Sequence, residues 1–329
     1  MQDVARVAGV SVKTVSRVVN EEPGVRADTK ARVADAIRRL GFRRNDGASM
    51  LRSGRTESVG LIVEDLSDPF YSALTAAVER VARQRGHVLL TGSAEGSAER
   101  ERVLTSAFLS RRVSGLLVVP ADNDHGWLSD DVAAGTAVVF LDRPASGLSA
   151  DTVLTDNEGG MRSAVEHLAA HGHRRIGFLG DDPRFWTAGR RLAGFGAATS
   201  SLDLPADATA MGPHDVTSVG AVLATWMAAS DPVTAVVTGN NRITVTTLRA
   251  MRHAGIELAM VGFDDFELAD LLDPAVTVVA QDPVAMGERA AGLLFRRLSG
   301  DEGPARTELL PTRLLVRDSS KLRSRPRPH

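Results

Sequence analysis

Short apolar runs alternate with helical segments from about residue 57 to residue 318. This alternation constrains the fold more than any other feature of the sequence. The strand-like runs are Val59–Val63, Val88–Leu90, Gly115–Val119, Ala137–Leu141, Ile176–Leu179, Ala235–Thr238, Met260–Phe263 and Thr277–Ala280. Helical patterns separate them, for example Phe70–Gln84, Glu99–Arg111, Gly160–Ala170, Arg190–Thr199, Thr217–Ala229 and Ile243–His253. Such alternation predicts parallel, doubly wound sheets. The repeats exceed one sheet, so we predict an α/β body of two lobes with a cleft beyond the carboxyl ends of the strands.

The first 55 residues have a different, all-helical pattern. Apolar residues predict helices at Asp3–Ala8, Val12–Asn20 and about Asp28–Leu40. Gly9 can adopt the left-handed conformation that ends a helix, and Ser11 is a good N-cap for the next one. The expected inward-facing residues are Val4, Val7, Ala8, Val15, Val18, Val19, Val33, Ala36, Ile37 and Leu40. Three short helices with a glycine turn between the first two predict a helix-turn-helix.

The charge is distributed unevenly between this N-terminal segment and the rest of the chain. Residues 1–55 contain 12 lysines and arginines against 6 acidic residues, whereas the whole chain has a net charge of -2. A basic segment attached to an acidic body indicates a polyanionic partner such as DNA. A small helical domain with a solvated basic face is the alternative.

The segment DVARVAGVSVKTVSRVVN, followed by Val25, Thr29 and ARVADAIRRLGF, resembles the DNA-binding domain of the lactose/galactose-repressor family. The resemblance implies that the second helix enters the major groove, with Val12, Lys13 and Arg17 facing base edges. Arg17 would contact guanine and Val12 a thymine methyl. The residues expected to contact phosphates are Ser11, Thr14, Ser16 and Asn20. The family usually has a threonine that caps the first helix before the equivalent of Asp3, and Met1-Gln2 does not supply it.

FRRNDGASMLRSGRT resembles the linker that becomes a short helix on specific DNA in this family. The resemblance implies that Leu51, with Ala48 beside it, wedges into the central minor groove. The linker departs from the family pattern at Arg44 and Ser49, and Gly47 lowers helix propensity by about 1 kcal/mol relative to alanine. A flexible polar linker is the alternative interpretation.

Family landmarks continue through the body, including VGLIVEDLSDPFYSAL, VGFDDFELADLLDPAVTVVAQD and PTRLLVRDSS. The resemblance implies a type I periplasmic-binding-protein fold of two lobes joined by three crossovers, near residues 155, 281 and 312. We therefore expect a DNA-binding domain at residues 1–44, a hinge at 45–57 and an effector-binding and dimerisation domain at 58–318. The Arg- and Pro-rich end, residues 319–329, is expected to be a disordered tail.

The resemblance also implies a ligand site at the ends of the strands. The matching residues are Arg191, Asp264 and Asn240, with Phe70, Trp186 and Thr187 on loops that should line the same cleft. An arginine and an aspartate that face one ligand suit the vicinal hydroxyls of a sugar or nucleoside. Two alternatives stay open: Asp264-Asp265 as a loop-capping pair, and Trp186 as a lid or core residue.

The body departs from the family pattern at three places. Asn241 replaces the usual aspartate, and Thr244-Val245-Thr246 replaces a small-residue motif. About four residues, including the customary Pro-x-Asp, are missing between Gly255 and Val261. The shortened loop precedes the strand that leads to Asp264, so it is expected to affect the position of this residue.

Other functional classes have little support. The chain has no cysteine, so neither disulfides nor cysteine-ligated zinc are possible. His171-Gly-His173 has no nearby third ligand, and nucleotide-loop and hydrolase-elbow motifs are absent. We therefore expect no enzyme activity, cofactor or metal. With neither a signal segment nor a membrane-length apolar run, a cytoplasmic location is expected.

These features together predict a homodimeric transcription regulator that acts as a repressor rather than as an activator. Its partners would be a pseudopalindromic operator and a small sugar- or nucleoside-like effector. The expected dimer surface includes the helices after Pro69 and before Gly115. A solute-binding protein that delivers a sugar to a transporter is the alternative from another class, and an enzyme on this fold is a third.

Overall fold

Helices form the N-terminal part of the chain, and alternating strands and helices form the rest. The structure, a computed structural model, describes residues 1–19, 22–41 and 57–321. Contacts within the chain divide it into two units, Met1–Thr56 and Glu57–His329. Helices α1 (Gln2–Ala8), α2 (Val12–Val19) and α3 (Ala27–Leu40) belong to the first unit.

The three N-terminal helices enclose a small core around Val4, Val15 and Val33. Gly9 ends α1 in the left-handed conformation (φ 64°), as predicted. The predicted cap at Ser11 is also confirmed, since its Oγ accepts from the Thr14 N–H at 3.1 Å. No side chain caps the start of α1.

Two residues that we predicted to face inward are exposed. Val7 is 50% exposed because α1 buries Val4, Ala5 and Ala8, which turns the helix so that position 7 lies outside the contact. Leu40 is 45% exposed because it is the last residue of α3, one turn beyond the buried Ala36.

The first lobe of the body is a six-stranded sheet in the order β2-β1-β3-β4-β5-β11. Its elements are β1 (Ser58–Val63), α4 (Pro69–Gln84), β2 (Val88–Ser93), α5 (Ala98–Ser110), β3 (Gly115–Val118), a 3-10 turn (Gly126–Leu128), α6 (Ser129–Ala133), β4 (Ala137–Leu141) and β5 (Asp151–Thr155). The chain returns later to add α11 (Pro283–Leu298) and β11 (Thr307–Leu310). All the strand pairs in this sheet are parallel.

The second lobe is a sheet in the order β7-β6-β8-β9-β10-β12, in which only the β10–β12 pair is antiparallel among the described strands. Its elements are α7 (Asn157–Ala170), β6 (Ile176–Gly180), α8 (Trp186–Ser201), β7 (Thr209–Met211), α9 (Val216–Ala228), β8 (Ala235–Thr238), α10 (Asn241–Ala254), β9 (Ala259–Phe263), β10 (Thr277–Ala280) and β12 (Arg313–Leu315). The chain passes between the lobes after β5, after β10 and after β11. These positions confirm the predicted crossovers near residues 155, 281 and 312.

Both sheets are covered by helices on their two faces, as parallel sheets require. In the first lobe, Leu61 and Leu117 face one core layer, and Ile62 and Leu116 face the opposite one. Successive side chains of a strand point to opposite faces, so an uninterrupted apolar run supplies both layers. Because helices cover the faces, the ends of the strands are the part of each sheet left for a ligand.

The predicted tail begins too early. Ser319–Lys321 form a 3-10 turn in which Ser319 and Ser320 are buried. The Ser319 hydroxyl donates to the carbonyl of Met260 in β9 (2.8 Å), which ties this turn to the second lobe. The ordered body therefore extends to Lys321, and the remaining predicted tail lies outside the described residues. No helix in the described part of the chain is long and apolar enough to cross a membrane.

Candidate functional site

Helix α2 presents polar and basic side chains on the side opposite its buried residue, Val15. Val12 is 44% exposed, and Lys13 is also exposed. The hydroxyls of Ser11 and Thr14 lie 2.9 Å apart at the start of the helix. The exposed edge thus combines an apolar group, an ammonium group and two hydroxyls, which suits contact with base edges and phosphates.

Arg17 is also on α2, but its side chain is occupied. The guanidinium donates to the carbonyl of Pro23 (2.8 Å) and lies 3.5 Å from the Glu22 carboxylate. A contact between Arg17 and guanine would require exchange of these partners, so its assigned role stays a prediction. Ser16 is half-buried. Asn20, Ala48 and Leu51 lie outside the described residues.

A cleft of about 270 Å³ lies between the two lobes of the body, where the strands end. Residues that directly follow strands line it: Glu64 after β1, Asp142 and Arg143 after β4, Asp181 after β6, Gly239 and Asn240 after β8, Asp264 after β9, and Gln281 after β10. Ligands of doubly wound sheets bind at this end of the strands. The cleft is therefore the candidate effector site.

Arg191 and Asp264 meet in the wall of the cleft and are both nearly buried. The Arg191 guanidinium donates to Asn157 Oδ1 (2.7 Å) and to the Gly239 carbonyl (2.5 Å), and it lies 3.5 Å from Asp264 Oδ2. Its guanidinium carbon also lies 3.9 Å from the centre of the Phe263 ring. Arg191 is thus held rigidly in place.

Burial raises the pKa of Asp264, although Arg191 and a hydrogen bond from Gln281 (2.6 Å) act in the opposite direction. The backbone of Asp264 is left-handed (φ 68°). The carboxylate is therefore held in a poorly solvated position at the end of β9, where a ligand's hydroxyl or ammonium group would improve its environment.

The structure brings five of the six predicted effector residues to this cleft: Phe70, Thr187, Arg191, Asn240 and Asp264 all line it. Trp186 does not, and its indole packs beside Arg190 instead. Phe185 takes the place predicted for Trp186. It is the extended residue before α8, whereas Trp186 is the first helical one, so their side chains leave the backbone in different directions.

A buried polar cluster in the first lobe was missed by the sequence analysis. Arg143 pairs with Glu64, lies 3.7 Å from Asp142 and donates to the Pro120 carbonyl (3.2 Å). Tyr71 donates its hydroxyl to Asp142 Oδ2 (3.2 Å). Burial raises the pKa of Tyr71 well above its usual value. Burial alone would lower the pKa of Arg143, but its neighbours raise it. The signal available in the sequence was that Glu64 directly follows β1 and that Asp142 and Arg143 directly follow β4.

Side chains at the cleft also join the two lobes directly. Arg242, at the start of α10, lies within 2.5 Å of Asp65 and 3.2 Å of Asp68, both from the loop after β1. Asn241 donates to Asp68 Oδ1 (3.0 Å). The hydrogen bond from Arg242 lowers the pKa of Asp65 to about 2. Elsewhere in the cleft, the Arg143 guanidinium of the first lobe lies 4.4 Å from the Phe185 ring of the second.

The sequence matches two family models. The model of bacterial regulatory proteins of the lacI family matches residues 1–45, and that of periplasmic binding protein-like domains matches residues 165–320. The chain is 31% identical over 306 residues to the regulator GalS of Salmonella typhimurium, with 91% of this chain and 90% of GalS covered. It is also 31% identical over 338 residues to MalR of Streptomyces coelicolor, with 97% and 96% covered. The chain belongs to the LacI family.

Solved structures agree with this assignment. The Lac repressor dimer bound to operator and the anti-inducer ONPF superposes with a TM-score of 0.84 at 27% identity, covering 97% of this chain and 98% of the repressor chain. The regulator CelR in complex with cellobiose gives a TM-score of 0.71 at 28% identity. This LacI-family member is accordingly a transcriptional regulator with a DNA-binding helix-turn-helix and a two-lobed periplasmic-binding-protein-like body. The relatives named here are regulators rather than enzymes.

The two aspartates of the Asp264-Asp265 pair have different surroundings in the structure. Asp264 lines the cleft, whereas Asp265 pairs with Arg317 (2.9 Å) and accepts from the Phe266 N–H (3.0 Å). The capping interpretation therefore fits Asp265 only. The shortened loop between Gly255 and Val261 leaves α10 and β9 intact, and Asp264 stays at the strand end.

The two histidines that suggested a metal pair have separate partners. His173 Nδ1 lies 3.0 Å from the Thr234 hydroxyl, and His171 Nδ1 lies 2.8 Å from the His167 carbonyl. Within residues 1–19, 22–41 and 57–321, no group of three or more histidine or acidic side chains is placed to hold a metal ion.

Proposed function

We propose that this LacI-family regulator is a homodimeric repressor whose operator affinity is set by a small hydroxylated ligand in the interlobe cleft. Helix α2 would read the major groove through Val12, Lys13 and Arg17, with Ser11, Thr14, Ser16 and Asn20 on phosphates. Leu51, with Ala48 beside it, would enter the minor groove at the centre of a pseudopalindromic site.

The observation that carries the proposal is the convergence of side chains from both lobes on one cleft. Arg191, on α8, offers N–H donors, and Asp264, at the end of β9, offers carboxylate acceptors. Phe70 and Phe185 supply aromatic surface in the same cleft. Donors, acceptors and aromatic faces in one small cavity are the requirements for binding a sugar-like molecule.

Closure of the two lobes would couple ligand binding to DNA binding. A molecule held by residues of both lobes binds the closed body more tightly than an open one, and it can shift the equilibrium only by that difference. Closure would alter the dimer surface and thereby the spacing of the two DNA-binding domains. CelR, a relative solved in complex with cellobiose, supports a saccharide as the class of ligand.

The second copy would pack on an apolar surface of the second lobe. A groove of about 610 Å³ there is lined by residues such as Val245, Leu248 and Leu258, and Leu268, Leu271 and Leu272 around it are exposed. Exposed contiguous leucines favour association. The Lac repressor relative is a dimer on its operator. Both Val88 and Val103 are exposed on the first lobe, and Val103 lies on α5, one of the helices that the sequence indicated.

A gel-shift experiment tests this function. The purified full chain is incubated with DNA from its own upstream intergenic region, with and without a panel of sugars and nucleosides. We expect a salt-sensitive, sequence-specific shift that one class of compound changes. A chain that binds sugars but no DNA at any salt concentration would instead indicate a solute-binding protein.

A further inference from the structure

The cleft has more negative than positive groups, and this imbalance bears on the chemistry of its ligand. Six carboxylates line it: Glu64, Asp65, Asp68, Asp142, Asp181 and Asp264. Three guanidiniums face them, on Arg143, Arg191 and Arg242. The excess of three carboxylates gives the cleft a net negative charge, which attracts a positively charged group.

The three arginines already have carboxylate partners. Arg242 bridges Asp65 and Asp68, and Arg143 pairs with Glu64 and lies close to Asp142. Arg191 lies against Asp264 and also donates to Asn157 and Gly239. An anionic ligand would compete with an internal carboxylate at Arg143 and Arg242, and at Arg191 it would lie beside the Asp264 carboxylate.

Several acceptors, in contrast, have no cationic partner. Asp181 accepts only from the Asn240 amide (2.7 Å) and the Asp182 N–H (2.7 Å) among the described residues. The buried Oε1 of Gln281 has no hydrogen-bond partner in the described part of the chain, while its amide nitrogen donates to Asp264.

Carboxylates of the two lobes also face one another. Both Asp142 and Asp68 of the first lobe line the cleft with Asp264, and they act with its burial to raise its pKa, against the larger lowering by Arg191 and Gln281. A positive charge placed between the lobes would relieve this repulsion and connect the lobes at the same time.

The positive charge belongs to an organic group rather than a metal ion. The described residues contain no cluster of three or more histidine or acidic side chains arranged to hold a metal. The rings of Phe70, Tyr71 and Phe185 line the cleft beside the carboxylates, and aromatic faces attract alkylammonium groups. An ammonium also supplies three donors, which matches the surplus of acceptors.

We propose that the effector is a cationic hydroxylated molecule of monosaccharide size, an amino sugar or a close analogue, with its ammonium group between carboxylates of the two lobes. This rests on the proposed function, which makes the cleft the effector site. The volume of about 270 Å³ lies just below the range of about 300–1,000 Å³ typical of ligand pockets. The cleft as it stands is therefore closer in size to a monosaccharide than to a larger ligand. Phosphorylated and carboxylated sugars are excluded by charge.

Calorimetric titration of the full chain with matched compounds tests the inference. Glucosamine, galactosamine and mannosamine are each compared with the parent hexose, the N-acetyl derivative and the hexose 6-phosphate. We expect one amine to bind at least about tenfold tighter than its parent hexose and its uncharged N-acetyl form, with no binding of the phosphates. Equal or tighter binding of neutral or phosphorylated members, or no binding by any amine, overturns the inference.

A pair of variants links the selectivity to the cleft. Asp142→Asn keeps an acceptor for the Tyr71 hydroxyl and suits the left-handed backbone at this position (φ 64°). It should weaken binding of the amine about tenfold and leave the parent hexose within about twofold. Asp231→Asn, at an exposed carboxylate outside the cleft lining, removes the same charge and should change neither. Equal effects of both variants would contradict the proposed contact.

Operator binding is measured on the same preparations. Loss of amine selectivity with intact operator binding overturns the ligand class alone. Amine selectivity without any operator binding supports the ligand class and contradicts the proposed repressor.

Discussion

At the scale of single residues, the proposed ligand role of Asp264 is in conflict with its contribution to stability. Asp264 is nearly buried, and this burial raises its pKa even though Arg191 and the hydrogen bond from Gln281 lower it. A carboxylate in such a place costs folding energy at neutral pH, since its charge is better solvated in the unfolded chain. Its position suits a ligand more than it suits the empty protein.

The Asp264→Asn variant is therefore expected to stabilise the protein and to weaken its binding of the ligand. Asparagine tolerates the left-handed backbone and can still accept from Gln281. We expect Tm at pH 7 to rise by about 1–4 °C and ligand affinity to fall about tenfold or more. Thermal melts and calorimetric titrations measure the two effects.

The pH dependence of the same variant follows from the direction of the shift. The folded-state pKa of Asp264 lies above the ordinary value of 3.8, so the wild-type carboxyl group carries no penalty below that value. As the pH rises through the folded pKa, the wild-type protein loses stability relative to Asp264→Asn. The gap in Tm should thus be wide at pH 7 and close near pH 4. A gap that is independent of pH would show that packing, not charge, causes it.

At the scale of elements, helix α2 carries the DNA prediction. Arg17→Ala should weaken operator-specific binding by about 1–3 kcal/mol per half-site, because the bidentate contact to guanine is lost. Arg32→Ala on α3 removes the same charge from an exposed position and is the matched control. Competition gel-shifts with operator and random DNA separate the two variants.

Two outcomes would change this assignment. Equal losses from Arg17→Ala and Arg32→Ala would mean that only overall charge matters. A lower melting temperature for Arg17→Ala would indicate instead that its bonds to Pro23 and Glu22 hold the turn after α2. Ligand binding should be the same in both variants.

The start of α10 carries a second prediction at this scale. Arg242→Ala removes the contacts to Asp65 and Asp68 that join the lobes, and partly exposed ion pairs contribute about 0.2–1 kcal/mol. We expect a more open body in the absence of ligand and an affinity about two- to fivefold lower. Small-angle scattering and calorimetry measure these effects, with Arg289→Ala as an exposed control on α11.

The ion pair also sets a pH limit for this contact. Because the pKa of Asp65 is lowered to about 2 by the hydrogen bond from Arg242, the contact is fully present above about pH 4 and is lost as the pH falls towards 2. Scattering profiles of wild type and Arg242→Ala should accordingly differ at pH 7. A wild-type body that is already as open as the variant at pH 7 would contradict this role for Arg242.

The strands differ in how well they could be predicted from the sequence. The apolar runs predicted the central strands because both faces of a parallel sheet are buried, and the family landmarks placed the three crossovers. Strands β5, β7, β11 and β12 were missed because they are short, carry polar residues or lie at sheet edges. In β5, Asp151 is buried by its ion pair with Arg297, 146 residues away, which no local pattern reveals.

The cleft was predictable to a similar extent. Arg191, Asn240 and Asp264 follow from their place in the family motif. The polar cluster around Arg143 does not, since Glu64 meets it from 79 residues away. The one-residue error at Trp186 arose because helical and extended neighbours point in different directions, and the sequence did not place the helix boundary.

At the scale of the whole molecule, the exposed leucines of the second lobe are the surface that we propose for dimerisation. Leu271 is 75% exposed beside a largely apolar groove that includes Leu268 and Leu272, and such a surface is costly to leave in water. If a second copy covers this surface, the two DNA-binding domains of the dimer contact the pseudopalindromic operator together. The affinity for the operator then depends on both domains.

Leu271→Asp should consequently give a monomer that retains its ligand affinity but loses operator binding. The aspartate would have to be buried without a partner in the dimer, whereas it is solvated in the monomer. Leu309→Asp, at a leucine 61% exposed on β11, is the control and should stay dimeric. Light scattering gives the mass, and gel-shifts and calorimetry give the two affinities.

If Leu271→Asp remains a dimer while Val103→Asp on α5 does not, the first lobe supplies the interface. Loss of ligand binding together with dimerisation would mean that the cleft itself needs the second copy.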